Sequence, residues 1–165
     1  GLSRPQLNAL LGVGGRHNPW PTITRSTADG LVRAMSLITP VSREEVRAML
    51  RLAERHACGI DLHIDEASDQ PGRGLRLLTG LLRRHRIRVP LVCSHASSMA
   101  LLSDRSCRRL AEALAESGVG VVALPTTNLW LLGKRASHTP LLRIQAPLRQ
   151  LQRAGVTVAI GADNV

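Results

Sequence analysis

The sequence predicts an α/β protein in which parallel strands alternate with helices that cover the sheet. Three observations predict it. Amphipathic stretches at helical spacing recur between residues 42 and 155. Each is followed by a short apolar run of strand length, and parallel strands buried on both faces read in that way. Each run then ends in polar residues on its C-terminal side. Strands and helices that alternate in this order build a parallel sheet with helical crossovers.

The elements follow from local signals. Residues 1 to 40 give few: Gly12, Gly14, Gly15, Pro19 and Pro21 interrupt any long element, and only a short helix near 29–37 is predicted. Ser42 followed by Glu45 is a capping box, and Val46, Met49, Leu50 and Ala53 then recur on one helix face up to His56. Gly59 to Ile64 reads as a strand, with Asp61 and His63 alternating against Ile60, Leu62 and Ile64. Leu75, Leu78 and Leu82 mark a helix over 74–85, and Val89 to Cys93 a second strand. A helix over 104–117 is stopped by Gly118 at the position after its cap. Val119 to Leu124 is the third strand. Pro147 suits the first turn of a last helix that ends at Gly155, and Val156 to Ile160 is the fourth strand. This gives four strand–helix units, the last without its helix, in a single domain with no internal linker.

Composition narrows the function. The net charge is +10, almost all of it from arginine, since Lys134 is the only lysine. The arginines are spread over helices and not gathered in one arm. With two Trp, no Tyr and no Phe, the chain lacks the aromatic platforms on which single-stranded nucleic acid stacks. A nucleic-acid partner is therefore not expected. No apolar run approaches the ~20 residues a membrane helix needs, so no membrane association is expected either. Cys58, Cys93 and Cys107 are too scattered for a disulfide framework or a Cys-x-x-Cys metal site, and are read as reduced thiols of a cytoplasmic protein.

The strand ends carry the chemistry. They deliver Asp61-Leu62-His63-Ile64-Asp65-Glu66, then Ser94-His95-Ala96-Ser97-Ser98, then Pro125-Thr126-Thr127-Asn128, then Gly161-Ala162-Asp163-Asn164. In parallel α/β folds the active site lies at that end of the strands. Imidazole and carboxylate are the ligands of a catalytic Zn²⁺ or Fe²⁺ that keeps a position open for water. A carboxylate outside the ligand set can move a proton, and Glu66, three residues past His63, is placed to lean over the same pocket. Blander roles stand beside these. A strand-end His is often only hydrogen-bonded, Asp163 or Asp65 can cap a helix, and Asn128 can fix a turn. His17, His56, His85 and His138 carry no pattern.

In order and spacing, these four segments resemble cytosine deaminase-like metal-dependent amidohydrolases. Asp61-Leu62-His63-Ile64-Asp65-Glu66 is similar to that family's D-x-H-x-D-E strand, and Ser94-His95 with Met99 to its next strand end. Leu124-Pro125-Thr126-Thr127-Asn128-Leu129 is similar to its L-P-x-x-N-L segment, and Gly161-Ala162-Asp163-Asn164-Val165 to its G-x-D-[DN]-V strand. The match is good over 43–165 and poor over 1–40. The resemblance implies a portion of a (β/α)8 TIM barrel, with the first strands and last helix missing. It implies one divalent metal ion, Fe or Zn, ligated by His63 and Asp163. Glu66, His95 and Asp163 would be catalytic, and Gln6 and Asn164 would contact substrate. The implied reaction is hydrolytic deamination of a cytosine-like heterocycle. In it, metal-bound hydroxide attacks the amine-bearing ring carbon and ammonia leaves. A small heterocycle is thus the expected partner, with room for a homo-oligomer. Two alternatives remain: a related amidohydrolase acting on triazines or other cyclic amidines, or an inactive truncated fragment. The second arises because no His-x-His pair, which supplies two ligands in that family, occurs among the six histidines.

Overall fold

The computed structural model describes residues 35–36, 42–66, 69–134 and 144–162. Five strands form one parallel sheet: β1 (Met35–Ser36), β2 (Ile60–Ile64), β3 (Leu91–His95), β4 (Gly120–Ala123) and β5 (Val158–Ile160). Their order in space is their order in the chain. A doubly wound sheet reverses its strand order at a switch point; an unreversed order is how a barrel is built. Among the described residues five α-helices accompany them: α1 (Arg43–Arg55), α2 (Arg73–Leu82), α3 (Asp104–Glu116), α4 (Pro125–Lys134) and α5 (Leu148–Arg153). Helix α1 packs on α2, α2 on α3, and α3 on α5, so these four form an outer layer that follows the strands.

Local chemistry explains the outer helices. The capping box of α1 is complete: Glu45 N–H donates to Ser42 Oγ at 3.2 Å, and Ser42 N–H to Glu45 Oε2 at 2.8 Å. Val46, Met49, Leu50 and Ala53 are the buried residues of that helix, as their spacing predicts. Ser103 caps α3 by accepting from Ser106 N–H, and Gly118 follows the helix with φ 68°, a conformation that glycine adopts without a Cβ clash. The core lies between sheet and helices. Ile60, Leu62 and Ile64 of β2 and Val121 of β4 meet Leu75, Leu78, Leu81, Leu114 and Leu151 there. Cys58, Cys93 and Cys107 are buried, and the Cys58 thiol donates to the His56 carbonyl at 3.2 Å. Burial, with the Asp61 and Asp65 carboxylates adding to it, pushes the Cys93 thiol far above its usual range.

The structure departs from the sequence reading in three places. Met35 and Ser36, assigned to the end of a short helix, form β1 and pair with Leu62 and His63. The remainder of that helix lies outside the described residues. Strand β3, expected over Val89 to Cys93, begins at Leu91 and runs to His95, because Pro90 has no N–H to give the ladder; its carbonyl instead accepts from Ile60 N–H at 2.9 Å. Most consequential, the segment from Pro125 is no strand-end loop but helix α4, with Pro125 in its first turn. Among the described residues no helix is long and apolar enough to cross a membrane.

Candidate active site

The C-terminal ends of β2 and β3 meet because the two strands are in register, His63 opposite Ser94 and Ile64 opposite His95. On β2 the apolar residues face the helices, so Asp61 and His63 share the opposite face. Ser94 lies on that face too, and its hydroxyl donates to Asp61 Oδ1 at 2.9 Å.

Strict alternation would send His95 to the helix side with Leu91 and Cys93. It does not go there. His95 has φ 72° and Ala96 φ 50°, both in the left-handed region that non-glycine residues rarely occupy. The break swings the imidazole toward His63: His95 Nε2 lies 3.1 Å from His63 Nδ1, with the rings edge to face at 5.0 Å between centroids. Such a backbone costs about 1 kcal/mol or more per residue and is found where the surroundings enforce it.

Those surroundings are hydrogen bonds between the two strand ends. Ala96 N–H donates to the Ile64 carbonyl at 3.1 Å, and Ser98 N–H to the Asp65 carbonyl at 2.9 Å. The Ser97 hydroxyl reaches the Glu66 carbonyl at 3.2 Å, and Ser98 Oγ accepts from Gly72 N–H at 3.1 Å. Asp65 is itself left-handed, with φ 55°. Its carboxylate accepts from Gly74 and Leu75 N–H, each at 2.9 Å, and so caps α2 from outside the helix. This is the capping role that the sequence offered for Asp65. The loop carrying Glu66 is therefore held on both sides, and Glu66 Oε2 stands 4.0 Å from His95 Nε2.

The other side of His95 is closed by α4. Asn128 Oδ1 lies 2.8 Å from His95 Nδ1, and both residues are buried, at 1% and 0% exposure. One residue earlier, Thr127 Oγ1 donates to the Ala162 carbonyl at 3.0 Å, which ties α4 to the chain leaving β5. The turn-fixing role allowed for Asn128 is thus replaced by a side-chain contact to the site. Sequence reading missed it together with α4, although Pro125 directly after a strand is a helix-start signal. The buried hydroxyls of Ser97 and Ser98 were missed as well, since nothing local marks a serine that ties two loops together.

Of the residues singled out from sequence, the structure brings His63, Glu66 and His95 to one point. Gln6, Asp163 and Asn164 lie outside the described residues, as do His17 and His138. His56 and His85 are exposed and take no part. Among the described residues no three His, Cys, Asp or Glu side chains are arranged to enclose a metal ion. A separate cavity of 610 Å³ is lined by Arg83, Arg86, Glu116 and Gly118, at the opposite ends of the strands, and does not touch this cluster.

The amidohydrolase family matches over residues 13–165, nearly the whole chain. The chain belongs to the amidohydrolase family. A pterin deaminase from Rhizobium rhizogenes (strain K84 / ATCC BAA-868) is 27% identical over 143 residues, which cover 87% of this chain and 32% of that protein. Two crystal structures of 5-methylcytosine deaminase from Klebsiella pneumoniae, one liganded with phosphonocytosine and one with 5-fluorocytosine, match at 27% identity and a TM-score of 0.65. They cover 74% of this chain and 30% of theirs. The chain thus spans about a third of the length of these relatives. The ordered parallel strands and outer helices of this amidohydrolase are a portion of a (β/α)8 barrel.

Proposed function

We propose that this amidohydrolase chain contributes the β2–β5 rim of a hydrolytic deaminase site for an amino-substituted, cytosine-like heterocycle. The observation that carries the reading is the convergence of His63, His95 and Glu66 on one point, enforced by a left-handed backbone at His95. Two imidazoles and a carboxylate around one small space are suited to moving protons on and off water and a ring nitrogen.

The donor chemistry also fits one divalent ion, Zn or Fe. His63 would be one ligand, and Asp163, next along the chain from Ala162, another. When bound, the ion would lower the pKa of a water molecule toward 7 and so make a nucleophile available at neutral pH. The protein's own groups do the rest. His95, held between His63 and Asn128, would polarise that water from beside His63. Glu66, half-buried and fixed by the Ser97 tie, carries a proton to the substrate ring nitrogen. Asp163 accepts the proton of the attacking water, Asn164 and Gln6 touch the substrate, and ammonia departs.

A second reading differs only in the ring. The pterin deaminase relative favours a bicyclic substrate, and a pterin shares the exocyclic amine on a cyclic amidine with cytosine. Ammonia release from cytosine, 5-methylcytosine and pterin, measured on the full-length protein with its metal content, decides between them. We expect activity on at least one. Glu66→Gln should keep the metal and abolish that activity; an active Glu66→Gln protein would remove the proton-carrier role. A wild-type protein that neither holds metal nor releases ammonia would instead support an inactive chain.

A further inference from the structure

A second concave surface lies at the ends of the strands opposite the histidine cluster. It is a cavity of about 610 Å³, and Arg83, Arg86 and Glu116 line it together with Leu82, Ile87 and Gly118. Helices α2 and α3 both end there, so the cavity lies between the loops that lead into β3 and β4. Its volume suits a small organic molecule, for which sites run to about 300–1,000 Å³.

The charge around this cavity is concentrated. Arg83-Arg84-His85-Arg86-Ile87-Arg88 places four arginines in six residues. Like charges so close repel one another, and an anion relieves that repulsion. A cation at the end of α2 complements the helix dipole, which accounts for Arg83. The dipole acts only within the last turn, and Arg86 stands beyond it. Glu116 is the only carboxylate among the lining residues. Its Oε2 accepts from Arg83 Nη2 at 3.2 Å, with the two side chains 67% and 62% exposed. A pair so exposed holds its arginine weakly, so an incoming anion can recruit Arg83 from it. The Arg86 side chain has neither ion pair nor hydrogen bond among the described residues. An open guanidinium fork is the group that takes an oxyanion through two parallel hydrogen bonds.

We propose that this cavity binds a diphosphate group, free or as part of a nucleoside diphosphate. Arg86 and Arg83 would hold the phosphate oxygens, and Leu82 and Ile87 form an apolar wall for whatever the phosphates carry. Diphosphate is favoured over a single carboxylate by charge. Two lining arginines, with Arg84 and Arg88 beside them in the chain, oppose one lining carboxylate, and a singly charged ligand would leave most of that excess uncompensated. The site is separate from the proposed deaminase centre and does not depend on it.

Isothermal titration of the full-length protein with inorganic pyrophosphate and with ADP, in about 0.15 M salt, tests the proposal. We expect one equivalent of ligand to bind. Arg86→Gln should weaken binding by about 10-fold or more, as loss of a charge-assisted fork does. Arg105→Gln, which removes the same charge at the far end of α3, should leave binding unchanged. Tighter binding of ADP identifies a nucleotide-type ligand that uses the apolar wall, and equal affinities identify the diphosphate itself; both support the site. Absence of binding by either probe up to about 1 mM would overturn the proposal, and so would an Arg86→Gln protein that binds as wild type does. An Arg105→Gln protein weakened as much as Arg86→Gln would overturn it too, because the attraction would then be to the net charge of +10. Arg86 is exposed, so its substitution should leave the circular dichroism spectrum unchanged. Diphosphate binding by a protein that releases no ammonia would overturn the deaminase reading and leave this inference standing.

Discussion

Asp65 joins stability to the site, because one side chain caps α2 while its backbone makes the turn that presents Glu66. Asp65→Ala removes the acceptor for two backbone donors, Gly74 and Leu75 N–H. Orphaned donors cost about 1–3 kcal/mol each when buried, and about 2 kcal/mol for the two is reasonable at a half-buried helix end. Alanine also lacks the tolerance of Asp for φ 55°, which adds about 1 kcal/mol. The expected loss is about 3 kcal/mol, a fall of about 1–2 M in the urea midpoint read by circular dichroism. Asp65→Asn keeps one acceptor and tolerates the left-handed backbone, so it should cost only about 1 kcal/mol. An alanine variant within about 0.5 kcal/mol of wild type, or an asparagine variant as damaged as the alanine one, would refute the capping role. The pH dependence has a definite sign. Burial raises the Asp65 carboxyl above its ordinary 3.8, against the lowering effect of the Leu75 and Gly74 N–H groups and of Arg76. A raised folded pKa means that the proton stabilises the fold, fully below the unfolded value and no longer once pH has risen through the folded one. Wild type should therefore lose stability relative to Asp65→Asn as pH rises from near 3.8 through that raised value.

Three further outcomes follow from the same contacts. Gly74→Ala would place a Cβ 2.6 Å from Ile64 Cγ1 and 3.1 Å from Asp65 Oδ1; crowding of about 1–3 kcal/mol should outweigh a helix-propensity gain of at most about 1 kcal/mol, and thermal unfolding should show a net loss. Ser97→Ala removes the hydroxyl that holds the Glu66 carbonyl. It should cost about 1 kcal/mol in urea unfolding and lower kcat in the full-length protein while metal content stays unchanged. Thr127→Val removes the bond to the Ala162 carbonyl and should weaken metal retention against a chelator, because Asp163 follows directly.

Much of the site was legible in sequence because its residues sit at strand ends, and strand ends can be read from local patterns. His63 and Glu66 follow from the β2 alternation and the polar residues after it. His95 was found at the right strand end, but its direction was not, since alternation alone turns it toward the helices. Asp65 was seen as a capping candidate, whereas the helix it caps begins eight residues further on.

What the sequence determined by itself was the alternation of outer helices and strands, the capping box at Ser42, the stop at Gly118 and the order of polar strand ends. Those signals act over three or four residues, or over the period of one element, so they survive without the fold. The tertiary structure alone decided that Met35–Ser36 is a strand, that α4 covers the site, and that His95 turns inward to meet His63 and Asn128. Those outcomes depend on partners 26 to 35 residues apart, such as Gly72 with Ser98 and Thr127 with Ala162. Only the register of neighbouring strands brings such groups within hydrogen-bond reach, and only that network stabilises a backbone that the residues would not adopt alone.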